Sequence, residues 1–298
     1  MKDVTNIEKK TFERLGVEAG IISGNVMINV ENDLENYYNT RDKEIYSSIL
    51  KRDHHLILRY SNGENIITLD DEFLDQVEKS TKPIMLPKDG KRYGAYDAVI
   101  VPNYLEKRKN LAIGSFARDC AVIIVVEKNS GTIAFIHSGW KPLLSGIVTR
   151  AMEEMIECIG EDKEFNFHAM IMPHIKRLEL GSEIYPKIEK YKDKYLEEMM
   201  LESIIDNNIS SNGKVYLYTT KAIIAELVKY VPGLNIDVIG GDTRDKKENG
   251  ELIYGSFRES KRARQILLKN QYKTIIQEEI LISNIVKTNL IYLMQLNS

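Results

Sequence analysis

The sequence predicts a mixed α/β (α+β) fold, built as a single domain across residues 1–298. Three observations predict it. Strand-like and helix-like segments interleave along the whole chain. The composition, 43% hydrophobic and 29% charged, is that of a globular protein with a sizeable core. Neither an internal repeat nor a low-complexity tract interrupts the pattern.

In order, "GIISGNVMINV" from Gly20 gives β-like runs, and a helical pattern follows from about Asp33 to Lys51. "HHLILRYS" reads as a strand, Gly63 as a turn, and "NIITLD" as the next strand. The polar segment from Asp71, with two prolines, predicts a short helix and then a loop. "DAVIVPN" is a strand ended by Pro102. The apolar runs "CAVIIVV" and "TIAFIH" flank a polar, glycine-containing turn, the pattern of a hairpin turning near Lys128-Asn129. From Pro142 to Ile159 apolar residues recur at helical spacing, and Gly160 is the stop. "FNFHAMIMP" is a strand, "KVYLYTTKAIIAELVKYV" a strand running into a helix, and "NIDVIGG" a further strand. The tail from Gln271 is periodic enough to be ordered, as cover for a sheet edge or as a dimer contact.

Composition narrows the function. A net charge of −3 gives no bulk attraction to nucleic acid or an anionic membrane. No apolar run approaches the roughly 20 residues needed to span a bilayer. The polar start carries no signal-peptide pattern, and two cysteines make no disulfide framework. The expectation is a cytoplasmic protein acting on a small molecule.

Cys120 and His137 are the residues most able to carry chemistry. They lie 17 positions apart on the two arms of the expected hairpin, directly opposite or within one step. Opposed side chains share a face with Cβ atoms about 4.5–5.5 Å apart, close enough to share a metal ion or act as a Cys–His nucleophile pair. The competing reading is a buried thiol and a packed imidazole with no joint role.

At these residues the sequence resembles the YfiH-like, laccase-domain family. That family's "ADC", a 17-residue interval and "HAGWRG" are similar to "RDC" and "HSGWKP" here. Weaker likenesses run from about residue 15 to 268, leaving 270–298 as an extension. "GNVMINVENDLENYYNTR" places the family's Asn at Asn25 and its Arg at Arg41. "DAVIV" begins at Asp97, "MPHIKRLELG" carries His174 where the family has Cys, and "SFRESKRAR" carries Ser256, Arg258 and Arg264.

The resemblance implies a layered fold with central mixed β-sheets flanked by helices. It also implies a monomeric purine nucleoside phosphorylase with deaminase activity, other family members being peptidoglycan editing factors. Cys120 and His137 become metal ligands, for zinc, with Asn62 standing where the family has its first histidine. Asn is a much poorer zinc donor than imidazole. His54 and His55 are upstream substitutes, of which strand alternation lets only one face the site. Asp97 and Asp119 are candidate carboxylates for orienting ligands, and Asp97 completes the catalytic set with Cys120 and His137. Asn25, Arg41 and His174 are candidates for substrate and phosphate. Two other readings stand beside this one: a divergent member that binds a ligand or partner without turnover, and a metal-free Cys/His hydrolase. Copper oxidase chemistry ranks last, because the cupredoxin pattern of two His, one Cys and a Met is absent.

Overall fold

The structure, a computed structural model, describes residues 4–25, 52–58, 60, 63–80, 84–86, 96–181, 184, 186–188, 190, 204–206, 215–230, 234–250, 252–254, 256–268 and 287–296. Its strands are β1 (Val4–Phe12), β2 (Val17–Asn25), β3 (His54–Leu58), β4 (Ile66–Thr68), β5 (Ile84–Leu86), β6 (Ala98–Val101), β7 (Leu111–Ala117) and β8 (Ala121–Glu127). They continue with β9 (Ile133–Ser138), β10 (Phe167–Ile171), β11 (Arg177–Leu180), β12 (Ile205–Asp206), β13 (Val215–Tyr218), β14 (Asn235–Val238) and β15 (Lys287–Gln295). Three sheets result: β1-β2-β15-β7-β3-β5, β14-β10-β8-β9-β6-β4, and the small β11-β13-β12. The first two mix parallel and antiparallel pairs, so the mixed α+β class and the layered, mixed-sheet fold expected from the sequence hold.

Alternation along the central strands explains the layering. Every residue of β8 and β9 is buried, so both faces of this sheet are covered. One face (Ile123, Val125, Ala134, Ile136) packs on the helices Ile147–Ile159 and Thr219–Tyr230 and on the small sheet. The other (Val122, Ile124, Ile133, Phe135) packs on Ile21, Leu56, Ile113 and Ile291 of the first sheet. His137 follows Ile133 and Phe135 on this second face, which places it at the end of the layer between the two sheets.

The structure corrects four expectations of local order. The hairpin is centred between Asn129 and Ser130, one residue beyond the expected place, because the Glu127 carboxylate gathers the turn. It accepts the backbone N–H groups of Asn129 (3.2 Å), Ser130 (2.6 Å) and Asn166 (2.8 Å). Val122, not Cys120, therefore stands opposite His137, and Cys120 lies two residues before Val122, just ahead of the first ladder pair. The helix expected from Pro142 is two helices, Trp140–Leu143 and Ile147–Ile159, separated at Gly146, whose φ of 74° breaks the first. Gly160 ends the second, as expected. Strand β7, "LAIGSFA", was not foreseen. The described part of the tail does not cover an edge: β15 lies inside the first sheet, between β2 and β7. The helix expected at Asp33 to Lys51 falls outside the described residues.

Candidate functional site

The site grows from the first residue before β6. Ala98 pairs with Ile136, so Asp97 faces His137 across two neighbouring strands. The pair is joined twice. The His137 backbone N–H donates to the Asp97 carbonyl at 2.7 Å, and ring Nδ1 meets the Asp97 carboxylate at 2.8 Å. Asp97 is fully buried, and its other oxygen accepts the Gly63 N–H at 2.6 Å. With Nδ1 engaged, Nε2 is left for chemistry, and the ring hydrogen-bonds Cys120. Tyr60 lies flat on the opposite surface of the imidazole, with centroids 4.5 Å apart and planes 4° from parallel. The result is a hydrogen-bonded chain, Asp97–His137–Cys120, clamped by one aromatic ring.

This environment sets the protonation of His137. Burial alone depresses an imidazole, but the bonds to Asp97 and to Cys120 outweigh it and raise the pKa to about 9. His137 is therefore an imidazolium at neutral pH. Tyr60 moves the other way from reactivity: burial, with the Asp97 charge adding to it, pushes its hydroxyl above the ordinary tyrosine range.

Cys120 and His137 open onto a cavity of about 690 Å³, a size suited to a small organic ligand. Its walls include Tyr60, Ser138, Trp140, His174 and Thr219. Four cations, Arg118, Lys141, Arg258 and Lys261, also line it, against one carboxylate, Asp119. That carboxylate is already used. It accepts Ser256 Oγ (2.6 Å), Thr243 Oγ1 (3.0 Å) and the Arg258 backbone N–H (2.8 Å), anchoring the first turn of the helix Phe257–Leu268. Ser256 caps the same helix through the Glu259 N–H at 3.2 Å. Asp119 is thus a helix anchor, not a ligand-orienting group, and the cavity wall carries a surplus of positive charge.

His174 lines the cavity as well, but both ring nitrogens face protein. Nδ1–H donates to the Met172 carbonyl at 2.8 Å, which leaves Nε2 to accept the Thr220 hydroxyl at 2.8 Å. Burial holds its pKa below the ordinary value, with Lys176 adding to the depression against the Met172 bond. His174 thus presents a neutral ring. His54 and His55 sit in β3 and do not line the cavity; His54 meets the Ser80 carbonyl at 3.2 Å. Asn25 ends β2 opposite Lys287. Arg41 and Asn62 lie outside the described residues. Trp140 packs on the core, with Lys141 and Lys187 within 5.6 Å and 5.3 Å of its ring centroid.

The sequence reading missed Tyr60, Arg118, Ser138 and Lys261. The signal available for Tyr60 was its place at the end of a buried strand, two residues before the suspect Asn62. Lys261 follows Arg258 by three positions, a helical spacing that puts both on one face.

A catalytic zinc takes three protein donors and a structural one takes four. Cys120 and His137 are two, and Asp97 orients the imidazole as carboxylates do beside metal-bound histidines. Among the described residues no group of three His, Cys, Asp or Glu side chains gathers to hold a metal. His174, the nearest further imidazole, spends both nitrogens elsewhere. Among the described residues Cys120 and His137 are thus two of the donors a zinc ion needs, and the expected third position, Asn62, lies outside the described residues.

Comparison with known proteins agrees with this architecture. The structure resembles that of Bacillus licheniformis YfiH, with a TM-score of 0.65, 16% identity and 99% of each chain covered. It resembles YlmD from Geobacillus stearothermophilus equally, at 0.65 and 13% identity, covering 100% of this chain and 98% of that one. A Neisseria meningitidis protein of the DUF152 family follows at 0.55 and 12% identity, covering 99% and 100%. No curated protein matches the chain in sequence. No helix among the described residues is long and apolar enough to cross a membrane. A family model described as multi-copper polyphenol oxidoreductase laccase matches residues 9–263, and with the Cys120–His137 arrangement in its place the chain belongs to this YfiH-like, laccase-domain family.

Proposed function

We propose that the protein is a purine nucleoside phosphorylase, releasing free base from inosine or adenosine with inorganic phosphate. The observation that carries this reading is a buried imidazolium, His137, held by Asp97 at the base of a cation-lined cavity. Phosphorolysis asks for two things: a cradle for a dianion, and an acid for the departing base. Lys141, Arg258, Lys261 and Arg118 supply the positive field. Phosphate attacks the anomeric carbon as the glycosidic C–N bond breaks. His137 Nε2–H protonates the leaving purine, and the proton lost by phosphate restores the imidazolium. Asp97 keeps the ring oriented and, with the bond from Cys120, favours its protonated form before and after the transfer.

Deamination, the companion activity, needs an activated water. Cys120 and His137 would hold a zinc ion for that purpose once a third donor joined them, and the ion would supply the activated water. The test is incubation with inosine and with adenosine, each with and without phosphate, followed by chromatography of the products. Free base appearing only with phosphate supports the proposal. Folded protein that releases none, or that makes only inosine from adenosine, overturns it.

A further inference from the structure

We propose that Cys120 is also a nucleophile, giving the cavity a second, metal-independent activity: acyl transfer from carboxylic esters and thioesters. The elements of that chemistry are a thiol, a base in contact with it, and a third group that orients the base. All three are present in sequence-distant positions brought together by the sheet. Cys120 is partly exposed on the cavity wall, His137 bonds it, and Asp97 fixes the ring through Nδ1 at 2.8 Å. The register accounts for the nearness: Val122 opposes His137, and Cys120 lies two residues before Val122, just ahead of the first ladder pair, Ala121 with Ser138. Tyr60, stacked on the imidazole, prevents the ring from turning away. A second observation points to a ligand at this place. Ser138, next to His137, lines the cavity with a buried hydroxyl that has no hydrogen-bond partner among the described residues.

The steps balance within the protein. Cys120 Sγ, its proton on His137, adds to the carbonyl carbon. The carbon–oxygen or carbon–sulfur bond to the leaving group breaks, and His137 Nε2–H protonates the alcohol or thiol that departs. A thioester on Cys120 remains. Water then adds to it as His137 takes the water proton, the Cys120 sulfur leaves, and the carboxylic acid is released with the starting state restored.

The chain carries its own control, because its only other cysteine, Cys158, is exposed on the helix Ile147–Ile159. The experiment treats the whole chain, in phosphate-free buffer with chelator, with 4-nitrophenyl acetate. Acetylation of each cysteine is followed in time by peptide mass mapping. Cys120 is expected to be acetylated at least about tenfold faster than Cys158, whose thiol is held above the ordinary range by burial and by Glu154. Asp97→Asn is expected to slow Cys120 by about tenfold while Cys158 is unchanged, the latter also reporting an intact fold. Equal rates at the two cysteines, acetyl on Cys158 alone, or an Asp97→Asn variant that leaves the Cys120 rate untouched each overturn the proposal. No nucleoside is present, so the outcome is independent of the phosphorylase reading.

Discussion

Asp97 and His137 face each other on neighbouring strands and are bonded through both backbone and side chain. The backbone bond sets the ring at a fixed height above the sheet, and the carboxylate sets its tautomer and charge. One buried residue thus acts on both the geometry and the electrostatics of the imidazole, beside the bond from Cys120 and the stacked Tyr60.

Asp97→Asn removes the charge and keeps the shape. Base release is expected to fall on the order of 10²–10⁴-fold, with a small change in KM for nucleoside. In the parent protein kcat is expected to decline as pH rises through about 9, where His137 loses its proton. In the variant that decline moves to lower pH. A pH–rate profile of both proteins checks the two statements together, and a profile unmoved by the substitution refutes them.

The cationic wall predicts a different signature. Lys141→Gln with Lys261→Gln is expected to raise KM for phosphate roughly tenfold while KM for nucleoside changes little, since phosphate alone carries the charge they meet. Added salt is expected to weaken phosphate binding in the parent more than in the double variant. Initial-rate kinetics with each substrate varied in turn decide it.

Zinc affinity is open to direct measurement by calorimetry. Cys120 and His137 alone are expected to bind the ion weakly. Asn62→His, which supplies the imidazole found at that place in the resembling family, is expected to tighten binding at least about tenfold. Tight stoichiometric zinc in the parent protein contradicts this.

His55 gives the fold a dependence on acidity. Burial, with neighbouring His54 adding to it against Asp53, lowers its pKa from 6.5 to about 4. The folded protein thus holds the ring neutral where the unfolded chain would protonate it. Stability from this source is complete above 6.5 and is lost as pH falls toward 4, by roughly 3 kcal/mol in all. Denaturant melts of the parent and of His55→Gln between pH 4 and 7 are expected to converge at the acid end.

Glu127 predicts a purely structural loss. Glu127→Gln keeps the shape but gives up the negative charge that three N–H groups share, and is expected to cost about 2–4 kcal/mol. The bonds from Asn166, Ser130 and Asn129 outweigh burial and hold this carboxyl below the usual range, so its contribution disappears as acid protonates it. Because the same carboxylate fixes the hairpin register, the variant is also expected to lose cavity chemistry beyond its loss of stability. Activity measured well below the melting midpoint separates the two effects.

How far the sequence reveals this molecule varies by residue. Strands β3, β6, β8 and β9 are visible because apolar runs bounded by polar turns leave few alternatives. The nearness of Cys120 and His137 is visible for the same reason, since the residue opposite His137 is only two positions from Cys120. The register is not, because it depends on a carboxylate folding back onto its own turn and reaching as far as Asn166. Asp97 is legible as the head of a strand, whereas Tyr60 is not, because stacking between sheets leaves no periodic trace. Asp119 reads equally as a ligand-orienting carboxylate or a structural cap in the sequence; the structure uses it at the start of the helix headed by Ser256 and Glu259. Strand β7 hid behind an interior glycine, Gly114, which weakens the strand pattern.

The placement of β15 has a consequence for how the protein is made. Ile21 of β2 pairs with Glu8 of β1 on one side, but on the other its partner is Ile291 of β15, distant in sequence. On a ribosome, β2 and β7 both emerge before the strand that joins them. The sheet under the site is therefore completed by a strand entering between two already translated neighbours. Until β15 is made, nascent chains are expected to expose open sheet edges on β2 and β7, the condition in which a chaperone would be most needed.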